Sequence, residues 1–258
     1  MSNKENIVFG INPVLEKLKA SADDILEILI AENAEGTALR QIAQQARQLG
    51  LPMVPVPARI LDRMAGGYRH QGVVARVEAY RYVSFDALLQ QVSTDSATSW
   101  ILVLDGITDP RNFGALLRTA EAVGVSHVVI PKDRSVDVTP VVVKASAGAT
   151  HYLKISKVTN LRRAIGELKN HGYWTIGLDG LSPDCIYDKN YSNRLVIVLG
   201  GEGKGLRPVT LRECDFVVSI PMLGKIGSLN VAVAGAVFLY ELVRQSRNID
   251  KGLAKLNG

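Results

Sequence analysis

Between residues 100 and 220 the chain repeats one pattern: a short apolar run without alternation, then a stretch of helical periodicity. The runs are 100–104, 127–131, 173–178, 195–199 and 216–220. A half-buried strand alternates apolar and polar residues, whereas an unbroken apolar run suits a strand buried on both faces. Between the runs, a helix is predicted up to Val123 with Gly124 as its stop, another over 139–147, and one from Thr159 that ends before Gly172. Residues 152–155 read as a further strand, and 228–247 as the last and longest helix. Strand–helix alternation of this kind predicts an α/β fold with a mainly parallel sheet covered on both faces. In such sheets ligands bind beyond the carboxyl ends of the strands.

Residues 1–80 read as a separate, smaller α/β module. Asn12 with Pro13 reads as a helix cap followed by Pro at the first helical position. Residues 25–31 read as a strand, and Thr37 caps a helix that stops at Gly50. Pro52, Pro55 and Pro57 punctuate an extended piece, a short helix ends at Gly66-Gly67, and 72–77 close the module as a strand. Residues 81–99, a short Leu-containing helix followed by a Ser/Thr-rich stretch, read as a linker by composition. The division is therefore 1–80, linker 81–99, main domain 100–247 and a polar tail 248–258.

Composition narrows the function. The 258 residues are 47% hydrophobic, enough for two cores. Cys185 and Cys214 make no disulfide framework, and His70, His127, His151 and His171 are scattered, so no metal site is expected. The start of the chain leads into no apolar signal core and no apolar run is long enough for a bilayer, so a soluble, cytoplasmic protein without a membrane partner is expected. The net charge is +5, and residues 59–82 hold five arginines against two acids, with Tyr68, Tyr80 and Tyr82 interleaved. Arginine forks clamp phosphates and aromatic rings stack on unpaired bases, so this stretch suits an RNA surface; a solvated face with buried tyrosines fits it equally.

Three polar islands sit where strand patterns give way to other structure: Asn112-Phe113-Gly114 with Arg118; Gly200-Gly201-Glu202-Gly203-Lys204-Gly205; and Ser228-Leu229-Asn230. Their placement predicts one site assembled from three loops. The glycine loop fails the dinucleotide spacing and lacks the Lys-Ser/Thr of a phosphate loop, which argues against a nucleotide-dependent oxidoreductase. Glu202 inside it disfavours a phosphate ligand, though a plain tight turn with an exposed Glu has the same composition. Asn112, Ser228 and Asn230 each have a second reading as helix caps, and Arg118 as an exposed helix arginine.

Taken together, the islands resemble the three motifs of the SpoU/TrmH branch of the SPOUT RNA methyltransferases. Residues 9–14 (Phe-Gly-Ile-Asn-Pro-Val) and 70–77 (His-Gln-Gly-Val-Val-Ala-Arg-Val) resemble the L30e-like RNA-binding domain of that branch's 23S rRNA guanosine-2′-O-methyltransferases. The resemblance covers nearly the whole chain except the tail. It implies a deep trefoil knot in the C-terminal domain, a homodimer, S-adenosyl-L-methionine as methyl donor, and RNA as substrate, with rRNA favoured over tRNA. By motif match it assigns catalytic roles to Asn112, Arg118, Glu202, Ser228 and Asn230. It places the cofactor against Gly200, Gly201, Ile220 and Leu229. Similar enzymes often carry Ser where this chain has Gly227 and Ala232, which leaves Ser228 as the only hydroxyl of its island. Two alternatives remain open at this point: a tRNA ribose 2′-O-methyltransferase, and a non-catalytic RNA-binding ribosome-assembly factor.

Overall fold

The computed structural model describes residues 6–94, 99–191, 193–203 and 205–256. The chain forms two compact units, one of Met1–Arg81 with Asp137–Tyr152, the other of Tyr82–Val136 with Leu153–Gly258.

The first unit holds β1 (Ile7–Phe9), α1 (Ile11–Ala20), β2 (Ile25–Ala31), α2 (Thr37–Gln48), β3 (Met53–Val56), α3 (Ala58–Met64) and β4 (Val73–Val77). Its sheet runs β1-β4-β2-β3, antiparallel except for the β2–β3 pair. The period of two is visible in the packing. Val8, Ile28, Val73 and Ala75 face a core shared with Val14, Leu18, Leu39 and Ile42 of α1 and α2. Ile7, Phe9, Leu29 and Val74 face the opposite core with Leu61. The first helix is preceded by Gly10, not capped by Asn12, and Pro13 sits inside its first turn, where its missing N–H has no intrahelical partner to lose.

The second unit holds α4 (Phe85–Thr94), β5 (Ser99–Asp105), α5 (Pro110–Ala122), β6 (His127–Pro131), then β7 (Lys154–Val158), α7 (Leu161–Asn170), β8 (Trp174–Leu178), β9 (Arg194–Gly200), α8 (Pro208–Leu211), β10 (Phe216–Val218) and α9 (Val231–Leu256). Its six strands run β10-β8-β9-β5-β6-β7 and are all parallel. Every residue of β5 and β6 is buried, as their apolar runs predict. Helices α4 and α7 cover one face of the sheet with Leu88, Val92, Leu161, Ile165 and Leu168. On the other face α9 packs on α5 and β9, and Gly235 lets it approach: a Cβ there would lie 2.5 Å from Leu116 Cδ2.

Three boundaries differ from the linear division. Residues 81–99 are not a bare linker: Leu88 and Val92, one helical turn apart, place α4 in the second core, with Phe85 and Leu89 packed against it. The polar tail continues α9 through Leu256, and residues 257–258 lie outside the described ones. The third difference is an excursion. Between β6 and β7 the chain leaves its sheet as Asp137–Tyr152 and joins the first unit.

There Thr139 caps α6 (Pro140–Ala145), and Val143 enters the core beneath α1 and α2. Tyr152 donates to Glu16 Oε2 at 2.5 Å, and Lys144 Nζ donates to Gln71 Oε1 at 2.5 Å. A short 3-10 turn spans Ala149–His151, and the strand expected at 152–155 starts two residues later, as β7 from Lys154. Burial without a partner for Nε2 lowers the pKa of His151 to about 4, with Lys17 adding to the effect and Asp24 and Glu16 opposing it.

No helix among the described residues is long and apolar enough to cross a membrane. No group of three or more His, Cys, Asp or Glu among them could hold a metal ion.

Candidate active site

Strands β5 and β9 lie side by side at the centre of the second sheet, with Asp105 in register with Gly200 at their carboxyl ends. From β5 the chain moves outward to β6 and β7; β9 and β8 lie on its other side. Such a switch of direction opens a crevice between the loops that leave the two central strands. The loop after β5 leads into α5, and the loop after β9 is the glycine island.

The glycines of that island serve two purposes. A Cβ on Gly200 would stand 2.1 Å from the carbonyl carbon of Gly205, and one on Gly201 would stand 2.4 Å from the carbonyl oxygen of Gly106. Both positions are reserved for the chain's own main chain. The backbone of the same loop occupies the space that a side chain on Gly200 would take. Gly203 and Gly205 instead supply φ of +74° and +61°, which turn the loop back so that Gly205 bridges Gly201. Lys204 lies outside the described residues.

Asp109, not Asn112, caps α5: its carboxylate accepts from the Arg111 N–H at 2.6 Å, with Pro110 at the first helical position. Asn112 is thereby free for another task. Its Nδ2 donates to Glu202 Oε1, and its Oδ1 accepts from Asn230 Nδ2 at 3.0 Å. Asn230 in turn caps α9, its Oδ1 accepting from the N–H groups of Ala232 at 2.9 Å and Val233 at 3.4 Å. One residue from each island thus joins a single hydrogen-bonded chain, Glu202–Asn112–Asn230, and the amide of Asn112 is oriented from both ends. The cap reading of Asn230 and its place in the site hold together.

Arg118 and Ser228 do not join that chain. Arg118 lies exposed one turn beyond the buried Gly114 of α5, and Ser228 is exposed in the segment before α9. Residues 221–230 are all exposed, Leu223 at 99% and Leu229 at 38%. Ile220 is half-buried at the start of that segment. Among the described residues, the main chain of 221–229 makes no backbone hydrogen bond, so its donors and acceptors stand open.

Sequence reasoning missed Asp105, Arg207 and Thr210. Asp105 is 2% exposed, and its Oδ2 accepts from Arg207 Nε at 2.9 Å and from Thr210 Oγ1 at 2.6 Å. Its Oδ1 lies 2.5 Å from Arg207 Nη2. The available signal was an acid at the end of an otherwise apolar strand run, a position where an unpaired charge is costly.

Residues 99–240 match the model of the SpoU rRNA methylase family. The chain belongs to this family. Residues 7–83 match a second model, described as RNA 2′-O ribose methyltransferase substrate binding. The chain is 42% identical to a 23S rRNA (guanosine-2′-O-)-methyltransferase RlmB of Xanthomonas campestris, over 95% of this chain and 98% of that one. It is 38% identical to a putative TrmH family tRNA/rRNA methyltransferase, YacO, of Bacillus subtilis, again over 95% and 98%. A solved structure of an RNA 2′-O ribose methyltransferase is similar with a TM-score of 0.77 and 26% identity, over 95% of this chain and 90% of the other. The SpoU methyltransferase AviRb from Streptomyces viridochromogenes shares the fold, with a TM-score of 0.77 at 23% identity over 94% and 90%. Neither SpoU model reaches α4, and the excursion Asp137–Tyr152 falls inside the methylase match although it is built into the first unit.

Proposed function

We infer that this chain transfers a methyl group from S-adenosylmethionine to the ribose 2′-hydroxyl of a guanosine in 23S rRNA. Identity of about 40% to RlmB enzymes over 95% of the chain carries the reading, and the Glu202–Asn112–Asn230 chain gives it a site. The residues present fit the cofactor. The open main chain of 221–229 offers N–H and C=O groups to a nucleoside, and Met222, Leu223, Ile226 and Leu229 offer apolar surface to its rings and chain. No phosphate-type cradle is needed, in keeping with a ligand that carries no phosphate.

S-adenosylmethionine supplies an activated methyl group; the 2′-oxygen gains it, and the hydroxyl proton leaves. The protein has only to place the reactants and favour charge on the oxygen. Arg118 is assigned to the 2′-hydroxyl as a hydrogen-bond donor that stabilises developing negative charge. It does not serve as the base, because a guanidinium keeps its proton throughout the physiological pH range. The proton passes late, to solvent. Asn112, Glu202 and Asn230 hold the loop ends that face the ribose, and Ser228 serves the substrate. Gly200, Gly201, Ile220 and Leu229 form the cofactor wall, the two glycines by letting the loop fold back and not by direct contact.

Four finer statements belong to the same reading. The chain from β9 to α9 forms a deep trefoil knot, as membership of the SpoU family implies. The first unit is an L30e-like RNA-binding module, supported by a mixed four-stranded sheet with helices on both faces. The enzyme is a homodimer, supported by the exposed Val233 and Tyr240, two turns apart on α9. It works in the cytoplasm, with the ribosomal RNA it modifies.

Arg118→Ala should lower the single-turnover methyl-transfer rate about a hundred- to a thousandfold at saturating cofactor and RNA, with cofactor affinity unchanged. Arg118→Lys keeps the charge without the planar fork and should fall between the two. Mapping ribose methylation in rRNA and tRNA from a deletion strain tests the substrate. A site lost from tRNA alone overturns the rRNA assignment, and no site lost at all favours an assembly factor.

A further inference from the structure

The tip of the glycine loop is poorly held by packing. Nothing lies within 4 Å of where a Cβ of Gly203 would stand, and a Cβ on Gly205 would meet only Asp179 Oδ2, at 3.7 Å. Glu202, Gly203 and Gly205 are all exposed. Yet this loop carries Glu202 and folds back on itself through the Gly201–Gly205 bridge. A loop so exposed keeps one geometry only if its base is fixed.

Asp105 fixes that base from both sides. Through strand register it is paired with Gly200, where the loop begins. Through its carboxylate it holds Arg207, where the loop ends, with Nη2 at 2.5 Å and Nε at 2.9 Å, and it accepts from the buried Thr210 hydroxyl at 2.6 Å. The next residue, Gly106, places its carbonyl oxygen against Gly201. Stability alone is a weak reason for such an arrangement, because burying the Asp105 carboxylate is costly while the half-exposed Arg207 guanidinium is screened by water. What an apolar trio could not supply is direction: the Nε hydrogen bond, the Nη2 ion-pair contact and the Thr210 hydroxyl bond hold residues 207 and 210 to the strand end beside residue 200.

We infer that Asp105, Arg207 and Thr210 are positioning residues, a polar staple across the foot of the glycine loop that pre-sets Glu202 and the loop main chain for S-adenosylmethionine. The inference rests on the methyltransferase reading and goes beyond it by giving three residues outside the three islands a part in cofactor affinity. Pre-organisation of this kind lowers the ordering cost of binding and is lost when the staple loosens.

The test uses the full chain with Thr210→Val, which keeps volume and removes one hydrogen bond, and Arg207→Lys, which keeps the charge and removes the fork. Arg207→Ala is a poorer probe, since it strands a buried carboxylate and endangers folding. Two quantities are read: hydrogen exchange of the amides of residues 201–206 without ligand, and S-adenosylmethionine affinity by calorimetry. Each variant should speed loop exchange and weaken affinity by about tenfold, the size expected for one charge-assisted hydrogen bond. Exchange in β5 and β6 should stay as in the wild type; a merely structural role would raise exchange throughout the sheet and leave the affinity of the folded fraction unchanged. Unchanged loop exchange in both folded variants overturns the staple. Faster loop exchange with unchanged affinity overturns its link to the cofactor. A wild-type protein that does not bind S-adenosylmethionine overturns the methyltransferase reading instead, and loop exchange alone then decides the staple.

Discussion

In the second unit, a Cβ added at Gly200 or Gly201 would collide with main chain, the carbonyl carbon of Gly205 at 2.1 Å or the carbonyl oxygen of Gly106 at 2.4 Å. In the first unit, a Cβ at Gly10 would meet Lys144 Nζ at 2.1 Å, and one at Gly148 would meet Glu16 Cβ at 2.7 Å. The backbone demands are reversed. Gly10 and Gly148 have φ of +93° and +94°, whereas Gly200 and Gly201 have no positive φ. The site loop therefore needs glycine for space between two stretches of backbone, which cannot yield without moving the sheet. The docked excursion needs it for a left-handed turn beneath side chains, some of which can swing aside. Glycine in the first unit marks how Asp137–Tyr152 is seated; glycine in the second marks how the site is threaded.

Four changes can break or sharpen that contrast. The largest is removal of residues 1–81, which takes away the strands and helices on which the excursion packs. Val142 and Val143, buried at 0% and 6%, would then face water, at about 1.5–3 kcal/mol for each. The remaining fragment should unfold at lower urea and associate; a monomeric fragment with wild-type cooperativity would show that the excursion does not depend on the first unit. Next is Gly201→Ala. Overpacking against main chain should cost about 3 kcal/mol or more, seen in urea unfolding, together with loss of cofactor binding.

Gly148→Ala should cost less, about 1–3 kcal/mol, made up of the positive φ and a small shift of Glu16. Because the strain is confined to the first unit, cofactor affinity should not change. Equal losses at Gly148 and Gly201 would erase the distinction between the two regions.

The smallest effect is that of pH. Folding holds His151 neutral, with its pKa lowered from 6.5 to about 4. The unfolded chain binds the proton more readily, so this residue's contribution is fully present above pH 6.5 and fades as pH falls toward 4. The loss at pH 5 should be about 2 kcal/mol. Glu16 and Asp24, both held below the usual carboxylate range chiefly by hydrogen bonds from Lys19 and Lys17, add their losses only at lower pH. Denaturation at pH 7 and pH 5 should show a smaller difference in His151→Gln than in the wild type.

Local chemistry accounts for what could be read in advance. Unbroken apolar runs located β5, β6 and β9, because a strand buried on both faces admits few polar residues. The three islands were visible as polar and glycine clusters at strand ends, and the structure ties Asn112, Glu202 and Asn230 into one chain of hydrogen bonds. The cap on α5 was misplaced by three residues, since Asn112 and Asp109 are both good caps and only the position of Pro110 separates them. A short Leu-containing helix was legible within 81–99, but its Ser/Thr-rich end gave no sign that α4 packs into the second core through Leu88 and Val92.

By itself the sequence determined the order of strands and helices, the parallel α/β class and the residues able to form a site, because each follows from periodicity, capping and burial within a few residues of chain. Tertiary structure alone decided that β9 lies between β8 and β5, and hence that the glycine loop meets α5. It decided that the loop's own backbone fills the space beside Gly200, that Asp105 closes the loop through Arg207, and that Asp137–Tyr152 is built into the first unit. These are contacts between residues far apart in the chain. Nothing in local propensity selects them, because their free energy exists only once the sheet order has brought the partners together.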